Sequence, residues 1–274
     1  MTQTKELLFN PYARLLTMLG DQLIKNERIA LVEIIKNAYD ADASWVKVTF
    51  SGFGDTFEVN AQSRITIEDD GTGMTQEVLE QHWVNPATPI KKIGKETKDT
   101  TTKGRKIQGE KGIGRFAILK LGKTVSVVTR PEGSDSEYTL KFDFSPYDDD
   151  FLTENGQAKK LLLTDLHVDL LISDKATQIY SSDISLGRRR IRRPSHGTKI
   201  EITHLRGGWS PEKVKAVYDD LIRLQSIFDD ADEKTPKKAR ADEFEVLIYK
   251  DSDYQSYSDQ YLEKLKTLIA DNSV

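Results

Sequence analysis

The sequence predicts a protein of the α+β class, and three observations predict it. Apolar residues fall at helical spacing through residues 11–43 and again through 211–228. Between those stretches lie short runs that alternate apolar and polar with a period of two, the pattern of half-buried strands. The composition, 37% apolar and 31% charged over 274 residues, suits a globular domain with a full core rather than a disordered chain.

In chain order, the spacing of Leu15, Leu16, Leu19 and Leu23 predicts a helix from Pro11 to about Lys25, and Pro11 suits a first turn. Asn26 is a ready N-cap for a second helix reaching about Ala43, apolar at Ile29, Leu31, Val32, Ile34, Ile35 and Ala38. Val46, Val48 and Phe50 share one face of a strand that Gly52-Phe53-Gly54-Asp55 turns. A second strand, Arg64 to Glu68, aligns Ile65 and Ile67, and Thr75 can cap a short helix ending near Trp83. Residues 85–108 are polar, rich in Lys and Thr and without period, which predicts either a functional lid or a disordered segment. A short helix is expected near Arg115–Leu121, with strands at Thr124–Arg130, Tyr138–Phe144, His167–Ile172 and Thr198–Thr203. Asp148–Lys160 reads as a surface insertion. On this reading residues 1–230 form one domain, 231–242 a charged linker, and 243–274 the start of a second module that is cut short.

Three separated stretches carry chemistry. In the first, Glu33 and Asn37 stand four apart and so stack on one face of an otherwise apolar helix, between Ala30 and Ala41. A polar pair on a largely buried helix needs partners. A carboxamide can serve as a Mg²⁺ ligand beside phosphate oxygens, and a carboxylate one turn away can orient water. In the second, Asp69-Asp70-Gly71-Thr72-Gly73, Asp69 follows Ile65 and Ile67 onto the inward face while Glu68 and Asp70 point away. A buried carboxylate at a strand end is an acceptor for a ligand's amino group, although Asp-Gly pairs also make ordinary turns. In the third, Gly109-Glu110-Lys111-Gly112-Ile113-Gly114-Arg115-Phe116 opens a short helix, where bare backbone N–H groups can receive an anion. Lys91, Lys92, Lys95, Lys103, Lys106 and Lys111 surround it with positive charge.

Together these stretches resemble the GHKL ATPase superfamily, which includes the gyrase B subunit, the ninety-kilodalton heat-shock chaperone, MutL and MORC proteins and sensor histidine kinases. The resemblance rests on Glu33…Asn37-Ala38…Asp40-Ala41, the Asp69-x-Gly71-x-Gly73 turn continued by Met74, the Gly109…Gly114 loop, and Gly197-Thr198 opening a strand. It covers about residues 10 to 205. It implies the Bergerat ATP-binding fold, an α+β two-layer sandwich with helices on one face of a mixed, mainly antiparallel sheet. By the same resemblance Asp69 accepts from the adenine amino group, with Thr198 and Gly73 beside the base. Asn37 holds Mg²⁺, Glu33 activates water, residues 109–116 wrap the phosphates of ATP, and residues 85–108 form the lid. Trp83…Ala87-Thr88-Pro89-Ile90-Lys91 is similar to the lid start of MORC-like members, with Ala87 and Pro89 where those carry glycine and serine. The resemblance also implies a nucleotide-dependent homodimer completed by a transducer-like module. Asp40 is either a partner of the site or a helix cap, and Arg115 either meets a phosphate or is solvated.

Glu33 favours an ATP hydrolase over a phosphotransferase of the histidine-kinase type. None of His82, His167, His196 and His204 is paired with an acid on a helix. Gly112-x-Gly114-x-x-Ala117 fits a loose dinucleotide fingerprint but lacks a preceding strand. No Gly-x-x-x-x-Gly-Lys-Ser/Thr is present, which excludes a P-loop. Arg188-Arg189-Arg190-Ile191-Arg192-Arg193 is weighed as a nucleic-acid patch and read in preference as an exposed loop. No apolar run approaches the roughly 20 residues of a membrane span. The absence of cysteine and of a hydrophobic leader leads us to expect a cytoplasmic protein.

Overall fold

A computed structural model describes residues 5–85, 100–108, 114, 117–147, 151–229 and 244–257. Helix α1 (Arg14–Leu23) is followed by α2 (Glu27–Asp40), then by strands β1 (Trp45–Ser51) and β2 (Arg64–Asp69). Next come a short α3 (Gln76–Val78) running into a π-turn (Leu79–Trp83), then α4 (Ala117–Leu121), β3 (Gly122–Arg130) and β4 (Glu137–Asp143). A hairpin β5 (Thr153–Glu154) and β6 (Gln157–Ala158), strand β7 (Asp169–Ser173) and a hairpin β8 (Asp183–Leu186) and β9 (Arg189–Arg192) precede β10 (Gly197–Leu205). Helix α5 (Pro211–Asp229) and strands β11 (Glu245–Lys250) and β12 (Asp253–Tyr254) follow.

The main sheet has eight strands in the order β12-β11-β1-β2-β10-β3-β4-β7. Every neighbouring pair is antiparallel except β1 with β11. It is the mixed, mainly antiparallel α+β sheet expected from the motifs. Cross-strand register explains how it holds its helices. One inner row reads Ile248, Val48, Ile67, Ile200, Val127, Leu140, and the next reads Phe50, Ile65, Ile202, Val125, Phe142. All but Phe142 are buried, and the inner face packs with Ala30, Leu31, Ile34, Ile35 and Ala38 of α2, Ala117 and Leu121 of α4, and Val214 and Val217 of α5. Helix α2 begins as read: the Asn26 side chain accepts from the Ile29 N–H at 3.0 Å. Thr75 caps α3 through the Val78 N–H in the same way.

Three parts of the sequence reading are placed differently. The arginine run is not a loop but the β8–β9 hairpin. Ile184, Leu186 and Ile191 lie on the opposite sheet face over Trp45, Leu247 and Tyr249, so the hairpin adds cover there. Arg189 pairs with Glu245, Arg192 with Asp183 and Arg193 with Glu68, and of these arginines only Arg193 is buried. In the stretch read as a surface insertion, residues 152–160 do lie at the surface, but Phe151, only 3% exposed, turns inward to a small cluster with Ala13, Phe144 and Leu161. Residues 244–249, read as opening a second module, form an inner strand of the main sheet, and Phe244, Val246 and Ile248 belong to its core.

Glu137, at the start of β4, is buried, and its carboxylate accepts from the N–H groups of Thr177, Gln178 and Ile179 and from the Thr177 hydroxyl at 2.7–3.1 Å. Burial pushes its pKa up, but those donors outweigh burial and hold it below the ordinary value of 4.5. Glu137→Ala is therefore expected to cost about 3 kcal/mol at neutral pH. The contribution is present above the unfolded value and is lost as the pH falls through the folded one. Denaturant titrations of both proteins check this, and a stability gap that does not shrink in acid would contradict the assignment.

Candidate functional site

The inward-facing residues of three neighbouring strands run apolar, apolar, polar. They are Ile65–Ile67–Asp69 on β2, Ile202–Ile200–Thr198 on β10 and Val125–Val127–Thr129 on β3. Asp69, Thr198 and Thr129 are in direct register, so one end of the apolar inner face finishes in a row of three polar side chains. Asp69 is 7% exposed, Thr198 8% and Thr129 0%.

Among the described residues no cation pairs directly with the Asp69 carboxylate. Its Oδ1 accepts from the Gly71 N–H at 2.9 Å, and the Thr198 backbone supplies a second donor. Burial pushes its pKa up to about 7, and the neighbouring Asp70 charge adds to this; the Gly71 and Thr198 donors and Arg193 oppose it. Asp70 points away, as strand parity requires, and accepts from the N–H groups of Ser44 and Trp45.

The turn after Asp69 is pressed against the end of α2. A Cβ on Gly71 would lie 2.9 Å from both the Cβ and the carbonyl oxygen of Ala41, and the Thr72 N–H donates to that oxygen at 2.9 Å. Gly73 has φ +69, and a Cβ there would fall 2.1 Å from the Arg130 carbonyl, so only glycine is accommodated. The Met74 N–H donates to Thr129 Oγ1 at 2.9 Å, and Thr129 Oγ1 also lies 3.1 Å from Thr198 Oγ1.

Between residues 30 and 40 of α2, the half-buried positions are Glu33, Lys36, Asn37 and Asp40, a single stripe at helical spacing. Glu33 is held by Lys36 at 2.7 Å. Gly114 lies against Asn37: a Cβ there would sit 3.6–3.7 Å from the amide nitrogen and oxygen and 3.9 Å from the Glu33 carbonyl. Glu33, Asn37 and Ala41 span about 12 Å of helix, with Gly114 against Glu33 and Asn37 and the Asp69 turn against Ala41. The structure thus sets the Asp69–Gly71 turn against Ala41 and Gly114 against Asn37 and Glu33, with Gly73, Met74 and Thr198 beside that turn through Thr129 and Arg130. Lys91, Gly109, Lys111, Gly112, Ile113, Arg115 and Phe116 lie outside the described residues.

Asp40 accepts from the Gln108 N–H at 2.8 Å, so it fastens the end of the polar segment to α2. Asp42 accepts from the Lys103 N–H and the Thr101 hydroxyl. Arg105, 7% exposed, lies over the Tyr39 and Phe244 rings, which meet edge to face, and donates to the Ala43 carbonyl at 2.6 Å. Residues 100–108, read as part of a lid, are anchored rather than free.

Sequence reasoning missed Thr129, Arg105 and His196, whose Nδ1 lies 2.8 Å from the Gly71 carbonyl. Thr129 was findable, because Val125-x-Val127-x-Thr129 repeats the pattern that singled out Asp69. Thr129→Val leaves the Met74 N–H without its acceptor and should cost about 1–3 kcal/mol of stability. Thermal unfolding beside Thr129→Ser, which keeps the oxygen, checks this; equal losses in the two variants would contradict it. A separate cavity of about 390 Å³, lined by Leu16, Trp83, Ile118, Val125 and Phe142, is apolar and holds none of the predicted site residues.

Comparison with known proteins agrees with this geometry. Residues 25–169, more than half of the chain, match the family described as histidine kinase-, DNA gyrase B- and HSP90-like ATPases, and the chain belongs to that family. Among curated relatives, the chaperone protein HtpG of Bacillus licheniformis is 29% identical over 135 residues and that of Bacillus velezensis 32%. HtpG of Halalkalibacterium halodurans is 28% identical. In each case the match covers 46% of this chain and 21% of the relative, so it spans about a fifth of the relatives' own length. No helix among the described residues is long and apolar enough to cross a membrane.

Proposed function

We propose that the chain is a Mg²⁺-dependent ATP-binding and ATP-hydrolysing domain that acts as a nucleotide-gated conformational switch. The observation that carries this reading is the convergence on α2. A buried carboxylate that pairs with no cation among the described residues stands at one end, a carboxamide with a glycine against it at the other, and a carboxylate one turn beyond. In this reading Asp69 accepts from the adenine amino group, with Thr198 and Gly73 beside the base. Asn37 contributes a carbonyl oxygen to Mg²⁺, and Glu33 orients and deprotonates water. The donor suits that ion, because a carboxamide oxygen is a hard ligand of the kind Mg²⁺ prefers. Mg²⁺ is commonly held by one or two side chains plus phosphate oxygens, whose developing charge it neutralises.

The dinucleotide reading is not favoured, because the only parallel pair among the described strands is β1 with β11, and neither strand leads in sequence into Gly112. Self-association is favoured by an apolar surface near the N-terminus, where Leu7, Leu8 and Phe9 are 78%, 87% and 93% exposed and Leu15, Met18 and Leu23 add to it from α1.

The test is incubation with ATP labelled at the γ-phosphate. Label released as free phosphate, with none on protein, is expected. Label transferred to protein would favour the phosphotransferase reading, and bound ATP that is never consumed would reduce the domain to a nucleotide-binding module.

A further inference from the structure

We infer that Lys36 is a positioning residue for the hydrolytic step, holding the Glu33 carboxylate in place and balancing its charge where the triphosphate must approach. The inference rests on the hydrolytic reading above and names a residue that the motifs do not mark.

The stripe that α2 turns away from its core carries Glu33, Lys36, Asn37 and Asp40, so Lys36 is its one cation. Lys36 Nζ reaches Glu33 Oε1 at 2.7 Å, with 20% and 31% of the two side chains exposed. Asp40 is engaged elsewhere, on the Gln108 N–H. Without Lys36 this face would offer two carboxylates and no positive charge to a polyanion. A carboxylate without a partner here would also sample several rotamers, and the water it must align would lose its fixed acceptor. The pair has little to do with stability, because partly exposed ion pairs at helical spacing contribute only tenths of a kilocalorie. Its geometry bears on the neighbouring chemistry.

The experiment compares Lys36→Met with Lys36→Arg, each alone and combined with Glu33→Gln, measuring kcat from phosphate release and Kd by ATP titration. Methionine and arginine are both strong helix formers, so α2 is retained. Lys36→Met is expected to lower kcat by about tenfold while Kd changes little, Lys36→Arg to restore most of the rate, and Lys36→Met to add nothing once Glu33 is glutamine. Three results would overturn the inference. One is an unchanged kcat in Lys36→Met. Another is the same fractional loss with and without Glu33. The third is a Kd that rises tenfold for ATP but not for ADP, which would make Lys36 a phosphate ligand. Failure of the parent reading looks different: the wild-type chain, or Glu33→Ala, would then give the wrong hydrolysis result before Lys36 is altered.

Discussion

Asp69→Asn is expected to weaken ATP binding at pH 8 by roughly tenfold to over a hundredfold, the loss of a charge-assisted hydrogen bond in a buried site. The pH dependence is the sharper signature. In the nucleotide-free protein burial raises the Asp69 carboxyl to about 7 from an ordinary 3.8. The folded state therefore binds this proton more tightly than the unfolded chain does. The resulting contribution to stability is complete below about pH 4 and is lost as the pH rises through about 7. It amounts to something on the order of 4 kcal/mol. The asparagine variant should lack that decline, so its stability relative to wild type improves towards alkaline pH even as its ATP binding fails. ATP affinity of the wild type should in turn rise from pH 6 to pH 8, because an ionised carboxylate is the better acceptor for an amino group. Calorimetric titration across that range, with denaturant curves on both proteins, reads both effects. Parallel pH profiles in the two proteins would show that Asp69 is not the group responsible.

Glu33→Ala is expected to leave ATP affinity within a few-fold of wild type and to lower turnover by about 10²–10⁴, the usual contribution of a general base. The reasoning is positional. Glu33 lies one helical turn beyond Asn37, on the side away from Ala41 and the Asp69 turn, so it stands past the end that would grip the base. Removing it takes away a group needed for water attack but none of the proposed adenine contacts. Free phosphate counted against bound nucleotide separates the two quantities, and turnover that survives the substitution would dismiss Glu33 from this role.

How much of this was legible in the sequence depends on the distance over which each signal acts. Local patterns sufficed for α2, for the inward turn of Asp69 and for most strands, because period and capping are written within a few residues. The pairing of β1 with β11 joins residues about 200 apart, and no local pattern declares it, so 244–249 looked like the start of something new. The β8–β9 hairpin was hidden for a related reason. A run of arginines suggests solvent, and only the register shows Ile184, Leu186 and Ile191 turned onto the sheet while Asp183, Glu68 and Glu245 meet the charges. Thr129 lay in plain view, but the alternation in β3 was read only as evidence of a strand. Arg105 could not be seen at all, since its partners Tyr39, Ala43 and Phe244 come together only in the folded chain.

The late parallel strand has a consequence for biosynthesis. Until β11 has left the ribosome, β1 presents an unsatisfied hydrogen-bonding edge, and Trp45 lacks the cover that Leu247 and Tyr249 give it. The nascent chain must carry that sticky border through the making of nearly 200 further residues, a delay that favours assistance during synthesis. A clone ending before β11 would keep the border permanently and should be recovered mainly as insoluble material.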